Sequence, residues 1–266
     1  MNEQNVKRFL FFGAHPDDPD VFFGGTAVKL VKAGHKVKFV SVTNGNAGHH
    51  KMKPDALAAR RYGEAQEVVK RSGIVEYDVM QNSDTLLENT LANRIAITKI
   101  IREFQPDVVI THRLCDYHPD HRATAQLVMD TTFLVRVPLF CPSVPVPEQN
   151  PVYAFSYDGY TDPRPIRTDA VVSVDDVLDE KMRLLDCHES QFYEWLPWVD
   201  FGIDDFDVTG MTWEQRKAHL IKYWGPIYQR AAKLANVPGI EYAEVFEQSA
   251  YGRQVSPEEF KALFAV

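Results

Sequence analysis

The first 136 residues alternate between two kinds of apolar patterning, and this alternation limits the fold more than any other feature. Short runs rich in β-branched and aromatic residues, at 6–12, 36–43, 77–80 and 107–111, have the length of strands. Segments of helical spacing stand between and after them, at 26–33, 55–71 (Leu57, Tyr62, Ala65, Val69), 91–104 (Ile95, Ile97, Ile100, Ile101) and 120–130. Gly13, Gly34, Gly73 and Pro106 punctuate the joins. Strands separated by helices of this length build right-handed βαβ units around a parallel sheet. The pattern predicts an α/β fold, a doubly wound, mostly parallel sheet with helices on both faces.

Past residue 136 the character changes. Five of the sixteen prolines fall between Pro138 and Pro151, which excludes helix and central strand and predicts an ordered loop, either a wall of a site or a plain connection. Two strands, 152–157 and 170–174, and a helix, 175–188, follow. The remainder, 192–266, is aromatic-rich and reads as mostly helical, packed on the same sheet. No linker separates it, so the expectation is one domain over 1–266, with a core at 1–136 and a C-terminal β/α extension at 137–266. The chain is 45% apolar and 25% charged, which suits a globular fold. Its 29 basic against 37 acidic side chains leave a net charge of −8, unlike a nucleic-acid-binding surface. No apolar run is long enough to span a membrane, and the N-terminal Phe9-Leu10-Phe11-Phe12 is too short for a secretory signal. Cys115, Cys141 and Cys187 are odd in number and lack close spacing, so a disulfide framework is excluded and a reducing cytoplasm is the expected compartment.

The chemistry gathers at two strand ends. The first strand runs into Ala14-His15-Pro16-Asp17-Asp18-Pro19-Asp20, then Gly24-Gly25; the fourth runs into Thr111-His112-Arg113-Leu114-Cys115-Asp116-Tyr117-His118-Pro119-Asp120-His121. In open α/β sheets ligands bind at the carboxyl ends of strands where the strand order reverses. A 3-2-1-4 order makes strands one and four neighbours, so the two clusters meet. His15 and Asp18 with one histidine of the second cluster satisfy the three protein ligands of a catalytic zinc, and Asp17 beside them can take a proton from a water on that metal. A remaining histidine can stabilise or protonate what the water attacks. The plainer alternatives are a turn with a helix-capping aspartate at each place, and for Cys115 a small buried apolar residue. The coincidence of two His-Pro-Asp elements at neighbouring strand ends favours the metal reading.

At these residues the chain resembles the PIG-L/LmbE-like family of zinc-dependent N-deacetylases. The resemblance rests on Ala14 to Asp18 with Asp20, Gly24 and Gly25; Thr43-Asn44-Gly45 with Gly48; Arg61 with Glu64; His118 to His121; and Lys181, His188, Ser190 and Gln191. It implies a Rossmann-like fold and removal of an N-acetyl group from an N-acetylglucosamine-type conjugate. It further implies one Zn²⁺ on His15, Asp18 and His121, a water on that metal as nucleophile, Asp17 as general base, and His118 as acid or stabiliser of the intermediate. Asp120 would orient an imidazole. Arg61 would hold a sugar hydroxyl or phosphate and Asp84 substrate hydroxyls, the alternatives being an Arg61–Glu64 surface pair and a turn cap. Asn46 stands where the family often has an acid. His49 and His50 read as solvated loop residues, the alternative being that they reach the site, and the aromatic set Phe192, Tyr193, Trp195, Trp198, Phe201 and Phe206 as core or subunit interface, the alternative being sugar-binding faces.

The implied partner is a small N-acetylated amine, with no nucleic acid and no membrane span; oligomeric state stays open. Two alternatives remain: a deacylase of non-sugar amides, and a nucleotide-binding module. The latter would want glycines after strand one, where the acidic run would repel a pyrophosphate.

Overall fold

The strand β1 (Arg8–Gly13) is apolar on both faces: Phe9 and Phe11 enter one buried cluster, Leu10 and Phe12 another. A strand covered on both sides belongs in the middle of a sheet with helices above and below. The computed structural model, which describes residues 6–204 and 206–266, has that arrangement. The other strands are β2 (Lys36–Thr43), β3 (Glu76–Asn82), β4 (Val108–Thr111), β5 (Val152–Ser156), β6 (Ala170–Ser173) and β7 (Ala243–Gly252). They form a seven-stranded sheet in the order β3-β2-β1-β4-β5-β7-β6. The first five pair in parallel, and β7 runs antiparallel to both β5 and β6. The order reverses at β1 and β4, which lie side by side as the 3-2-1-4 expectation required.

The helices are α1 (Asp18–Lys32), α2 (Pro54–Ser72), α3 (Leu91–Phe104), α4 (Pro119–Leu134), α5 (Leu178–Leu185), α6 (Leu196–Phe201), α7 (Trp213–Ala235) and α8 (Pro257–Leu263). A π-helical turn, Ser190–Trp195, leads into α6. Two expectations need correction. The first helix starts at Asp18, not at 26, so Gly24-Gly25 lie inside it. Two glycines look like a break, but Gly25 serves packing here: a Cβ on it would stand 2.9 Å from Val174 Cβ and 3.2 Å from Glu244 Oε1. The second correction is β7, in a stretch that read as mostly helical. Both its faces are buried and each carries an acid, Glu244 on one and Glu247 with Ser249 on the other, so the apolar alternation that announces a strand is missing.

The proline-rich segment is a connection. Its carbonyls at Val137, Cys141 and Val144, with Leu134 and Val135 before it, take the hydrogen bonds of the buried Arg102 guanidinium. Among the described residues no helix is long and apolar enough to cross a membrane. The three cysteines are unpaired. Residues 1–5 of the stretch read as too short for a secretory signal lie outside the described residues.

Candidate metal and catalytic site

The loops after β1 and β4 are fastened to one another. The Ala14 N–H donates to His112 Nε2 (3.0 Å), Thr111 Oγ1 donates to the Phe12 carbonyl (3.0 Å), and Thr43 Oγ1 donates to the Ala14 carbonyl (2.8 Å). This brings the His15–Asp18 and His118–His121 elements together at the point where the strand order reverses. Asp17 occupies the N-cap position of α1 yet makes no cap bond. Its carboxylate instead accepts from Arg61 Nη2 at 2.6 Å, so the helix-capping alternative does not hold there. Asp18 Oδ2 accepts the His15 N–H (2.7 Å). Around its carboxylate stand His15 Nδ1 (3.4 Å), His121 Nε2 (3.4 Å) and His112 Nε2 (3.2 Å).

The outer nitrogens of two of these imidazoles face carboxylates. His15 Nε2 lies 3.2 Å from Asp84 Oδ1 and 3.4 Å from Asp120 Oδ2, and His121 Nδ1 lies 3.1 Å from Asp116 Oδ2. None of the three contacts has hydrogen-bond alignment, so both ring nitrogens are buried without a well-formed hydrogen bond. Burial would push His15 down, but Asp120, Asp18 and Asp84 outweigh it and raise it well above the ordinary imidazole range. His121 is likewise lowered by burial but lifted by Asp18 and Asp116, to about 9. Asp18, which burial alone would raise, is pulled well below the usual carboxylate range by His121 and His112. Asp84 is also held low, because His15 outweighs the effect of burial.

His118 caps α4, its Nδ1 accepting the Asp120 N–H at 3.2 Å. Asp120 therefore sits inside the first turn of α4 and does not cap it. An acceptor Nδ1 places the ring proton on Nε2. Burial, then the neighbouring His15 and His121, also keep this imidazole below its ordinary range. His118 is thus set up as a neutral Nε2–H donor, rather than the imidazolium that a role as acid would call for. The Asp120 carboxylate reaches His15 and accepts the N–H groups of Thr85 (2.6 Å) and Leu87 (3.4 Å). It thereby holds Thr85 at φ 69°, a left-handed conformation rare for a β-branched residue.

All of this opens into a cavity of about 520 Å³. His15, Asp17, Asp18, His118, His121, Arg61 and Asp84 line it, and Asp120 stands just behind. Three overlapping donor sets crowd its floor, each within 4.8 Å: His15, His118 and His121; Asp18, His112 and His121; His15, Asp84 and Asp120. Arg61 is 2% exposed and does not pair with Glu64, whose carboxylate takes the Ser190 N–H and hydroxyl. Instead Arg61 fixes Asp17. His49 and His50 are not solvated: their side chains are 3% and 8% exposed and stack on each other at 5.0 Å. Asn46 ties two loops together, accepting the Asp84 N–H at 3.0 Å. Of the aromatic set, Phe192 and Tyr193 are core, Trp195 lines the cavity, and Phe201 is exposed.

Sequence reasoning gave no role to His112, Asp116 or Glu244. The first two were visible inside the run after the fourth strand, but nothing in their spacing separates them from their neighbours. Glu244 joins a buried network behind the site. It accepts the N–H groups of Gly25 (2.9 Å) and Thr26 (2.7 Å) and pairs with Lys181 Nζ at 2.6 Å. Lys181 also donates to the carbonyls of Asp20 (3.0 Å) and Val21 (2.8 Å), and His188 Nε2 meets Asp20 at 2.9 Å. The Lys181…His188-x-Ser190-Gln191 stretch is therefore what clamps α1, and with it Asp17 and Asp18, against the rest of the molecule.

Fold and site together define a doubly wound α/β protein with a His/Asp cluster at its switch point, of the kind that holds a catalytic metal. Residues 10–132 match the family model described as PIG-L, GlcNAc-PI de-N-acetylase. The diacetylchitobiose deacetylase of Thermococcus kodakarensis is 29% identical over 243 residues, covering 89% of this chain and 85% of its own. The solved N,N'-diacetylchitobiose deacetylase of Pyrococcus horikoshii, bound to an inhibitor, superposes with a TM-score of 0.73 at 24% identity, over 92% of this chain and 85% of that one. The 4-carboxy-2-hydroxymuconate hydratase GalB of Pseudomonas putida reaches a TM-score of 0.72 at 17% identity, over 94% and 99%. One fold thus carries different reactions, and the function has to be argued from the site.

Proposed function

We propose that this protein is a metal-dependent hydrolase that removes the N-acetyl group from an N-acetylated amino sugar conjugate of the N-acetylglucosamine type. The observation that carries the reading is the setting of His15, Asp18 and His121. His15 Nδ1 and His121 Nε2 each stand 3.4 Å from the Asp18 carboxylate, one at each oxygen, too long for a hydrogen bond and close enough for a small movement to bring all three to one ion, although the donor sets already within 4.8 Å divide these residues between them. The outer nitrogen of each imidazole faces a carboxylate, Asp120 for His15 and Asp116 for His121, as metal-ligating histidines commonly do. His112 is a weaker candidate, because its Nε2 lone pair already accepts the Ala14 N–H. We therefore assign a divalent ion, zinc first, to His15, Asp18 and His121.

When bound, such an ion acts as a Lewis acid toward the amide carbonyl and makes water a stronger nucleophile. The chain supplies the rest. Asp17, held by Arg61 at one oxygen, takes the proton of the attacking water at the other and can pass it to the departing amine nitrogen. The His118 Nε2–H donates to the oxyanion that forms on the carbonyl. The diacetylchitobiose deacetylase relative supports an amino-sugar substrate over a non-sugar amide. The test is acetate release from a panel of N-acetylated sugars and non-sugar amines, with chelator-stripped protein and after adding back zinc. Release from sugars that depends on added ion is expected; release indifferent to stripping, or confined to non-sugar amides, overturns the reading.

A further inference from the structure

The cavity is chemically two-sided. The His/Asp cluster fills one end. A second wall comes from the end of the π-helical turn, α6 and α7: Trp195, Leu196, Val199, Tyr223, Trp224 and Ile227, with Asp200, which accepts from the Tyr223 hydroxyl, as its charged residue. This wall is seated before any ligand arrives. Trp195 stacks on Trp198 (5.3 Å), Trp198 on His50 (4.7 Å) and His50 on His49 (5.0 Å). His49 and Arg60 both hold Glu194, the residue before Trp195, with Arg60 forming a fork of 2.8 and 2.5 Å. Gly48 lets the loop come this close, since a Cβ there would already stand 3.5 Å from the Trp195 indole nitrogen and 3.2 Å from Gln191 Oε1. A rigid wall of ring faces loses little freedom on binding and suits the flat apolar faces of a sugar or aromatic ring.

Outside the histidine cluster the charges around it are one-sided. Six carboxylates line the cavity, from Asp17, Asp18, Asp84, Asp116, Asp158 and Asp200. Among the described lining residues the only lysine or arginine is Arg61, and Asp17 already engages it at 2.6 Å. Arg113 answers Asp158 from outside the lining, at 3.2 Å. A phosphate or carboxylate on the substrate would meet no free cation on this wall.

We propose that the site selects N-acetylated amino sugars whose further substituent is an uncharged ring, a second pyranose or an aromatic aglycone stacked on the Trp195–Trp224 wall, and discriminates against phosphate- or carboxylate-bearing analogues. The inference rests on the deacetylase reading and narrows it. Its test compares N-acetylglucosamine, N,N'-diacetylchitobiose, p-nitrophenyl N-acetylglucosaminide and N-acetylglucosamine 1-phosphate. Two readouts are used: acetate release by the zinc-loaded protein, and quenching of tryptophan fluorescence on binding to Asp17→Asn protein. The neutral two-ring compounds should exceed the monosaccharide by about tenfold in kcat/KM and in affinity, and the phosphate should fall about tenfold below it. Trp195→Ala should erase most of the two-ring advantage, read as the ratio of two-ring to one-ring kcat/KM. Val199→Lys changes a cavity residue that is 46% exposed and so tolerant of the change. It should raise the phosphate-to-neutral ratio about tenfold. A phosphate compound handled as well as the neutral ones, or a Trp195→Ala protein whose ratio is unchanged, overturns the selectivity. Absence of acetate from all four compounds overturns the deacetylase reading instead, and the binding series then decides the selectivity by itself.

Discussion

Lys181→Met tests the clamp on α1. Lys181 is fully buried, its Nζ 2.6 Å from Glu244 Oε1, and Glu244 is itself 3% exposed. Methionine nearly matches the volume and leaves Glu244 as a buried carboxylate without its cation. Breaking such a pair from one side costs about 3–5 kcal/mol. At roughly 2–4 °C of Tm per kcal/mol for a chain of this size class, the expected fall is about 6–20 °C. Glu244→Gln on the Lys181→Met background removes the stranded charge while its amide oxygen can still accept the Gly25 and Thr26 N–H groups. The double variant should recover part of the loss, with a coupling of at least about 1.5 kcal/mol between the two sites. Calorimetric or circular-dichroism melts of the four proteins of the cycle measure this. A single-variant Tm within 2 °C of the parent, or additivity within about 0.5 kcal/mol, would refute the claim that this pair secures the helix carrying Asp17 and Asp18.

Asp17→Asn should retain the metal, since the proposed ligand set leaves Asp17 out, while kcat falls roughly 10²–10⁴-fold; a kcat within threefold of the parent would make it only a partner for Arg61. Asp116→Asn removes the carboxylate 3.1 Å from His121 Nδ1 and should weaken zinc binding roughly 10–100-fold in competition with a chromophoric chelator. Unchanged affinity would reject Asp116 as the residue that orients His121. In the metal-free protein His121 titrates at about 9, above its ordinary 6.5, so its contribution to stability is full below 6.5 and fades as pH rises through about 9. Zinc bound at His121 as proposed would displace that proton, so uptake at pH 7 should release protons and tighten as pH rises toward 9; titration calorimetry in buffers of differing ionisation enthalpy that shows no release would exclude His121 as a ligand.

Much of this was legible in the chain alone, because it is local. The 3.6- and 2-residue periodicities of the first half follow from side chains that must reach an apolar layer, so β1 to β4 and the helices between them declare themselves. The placement of His15, Asp17 and Asp18 after β1, and of His118 to His121 after β4, then follows from the topology of a doubly wound sheet. What the sequence could not decide are pairings between distant segments. β7 is hidden because its inward residues are Glu244 and Glu247, whose burial makes sense only once Lys181 and, for Glu247, Arg164 and Arg167 come to meet them. Arg61 on Asp17, Asp116 on His121, Asp120 on His15 and the His49–His50–Trp198–Trp195 stack join side chains whose partners carry no mark in the sequence. An apolar residue announces burial by its own chemistry, whereas a polar residue is buried only where its complement arrives, and that complement is supplied by the tertiary fold.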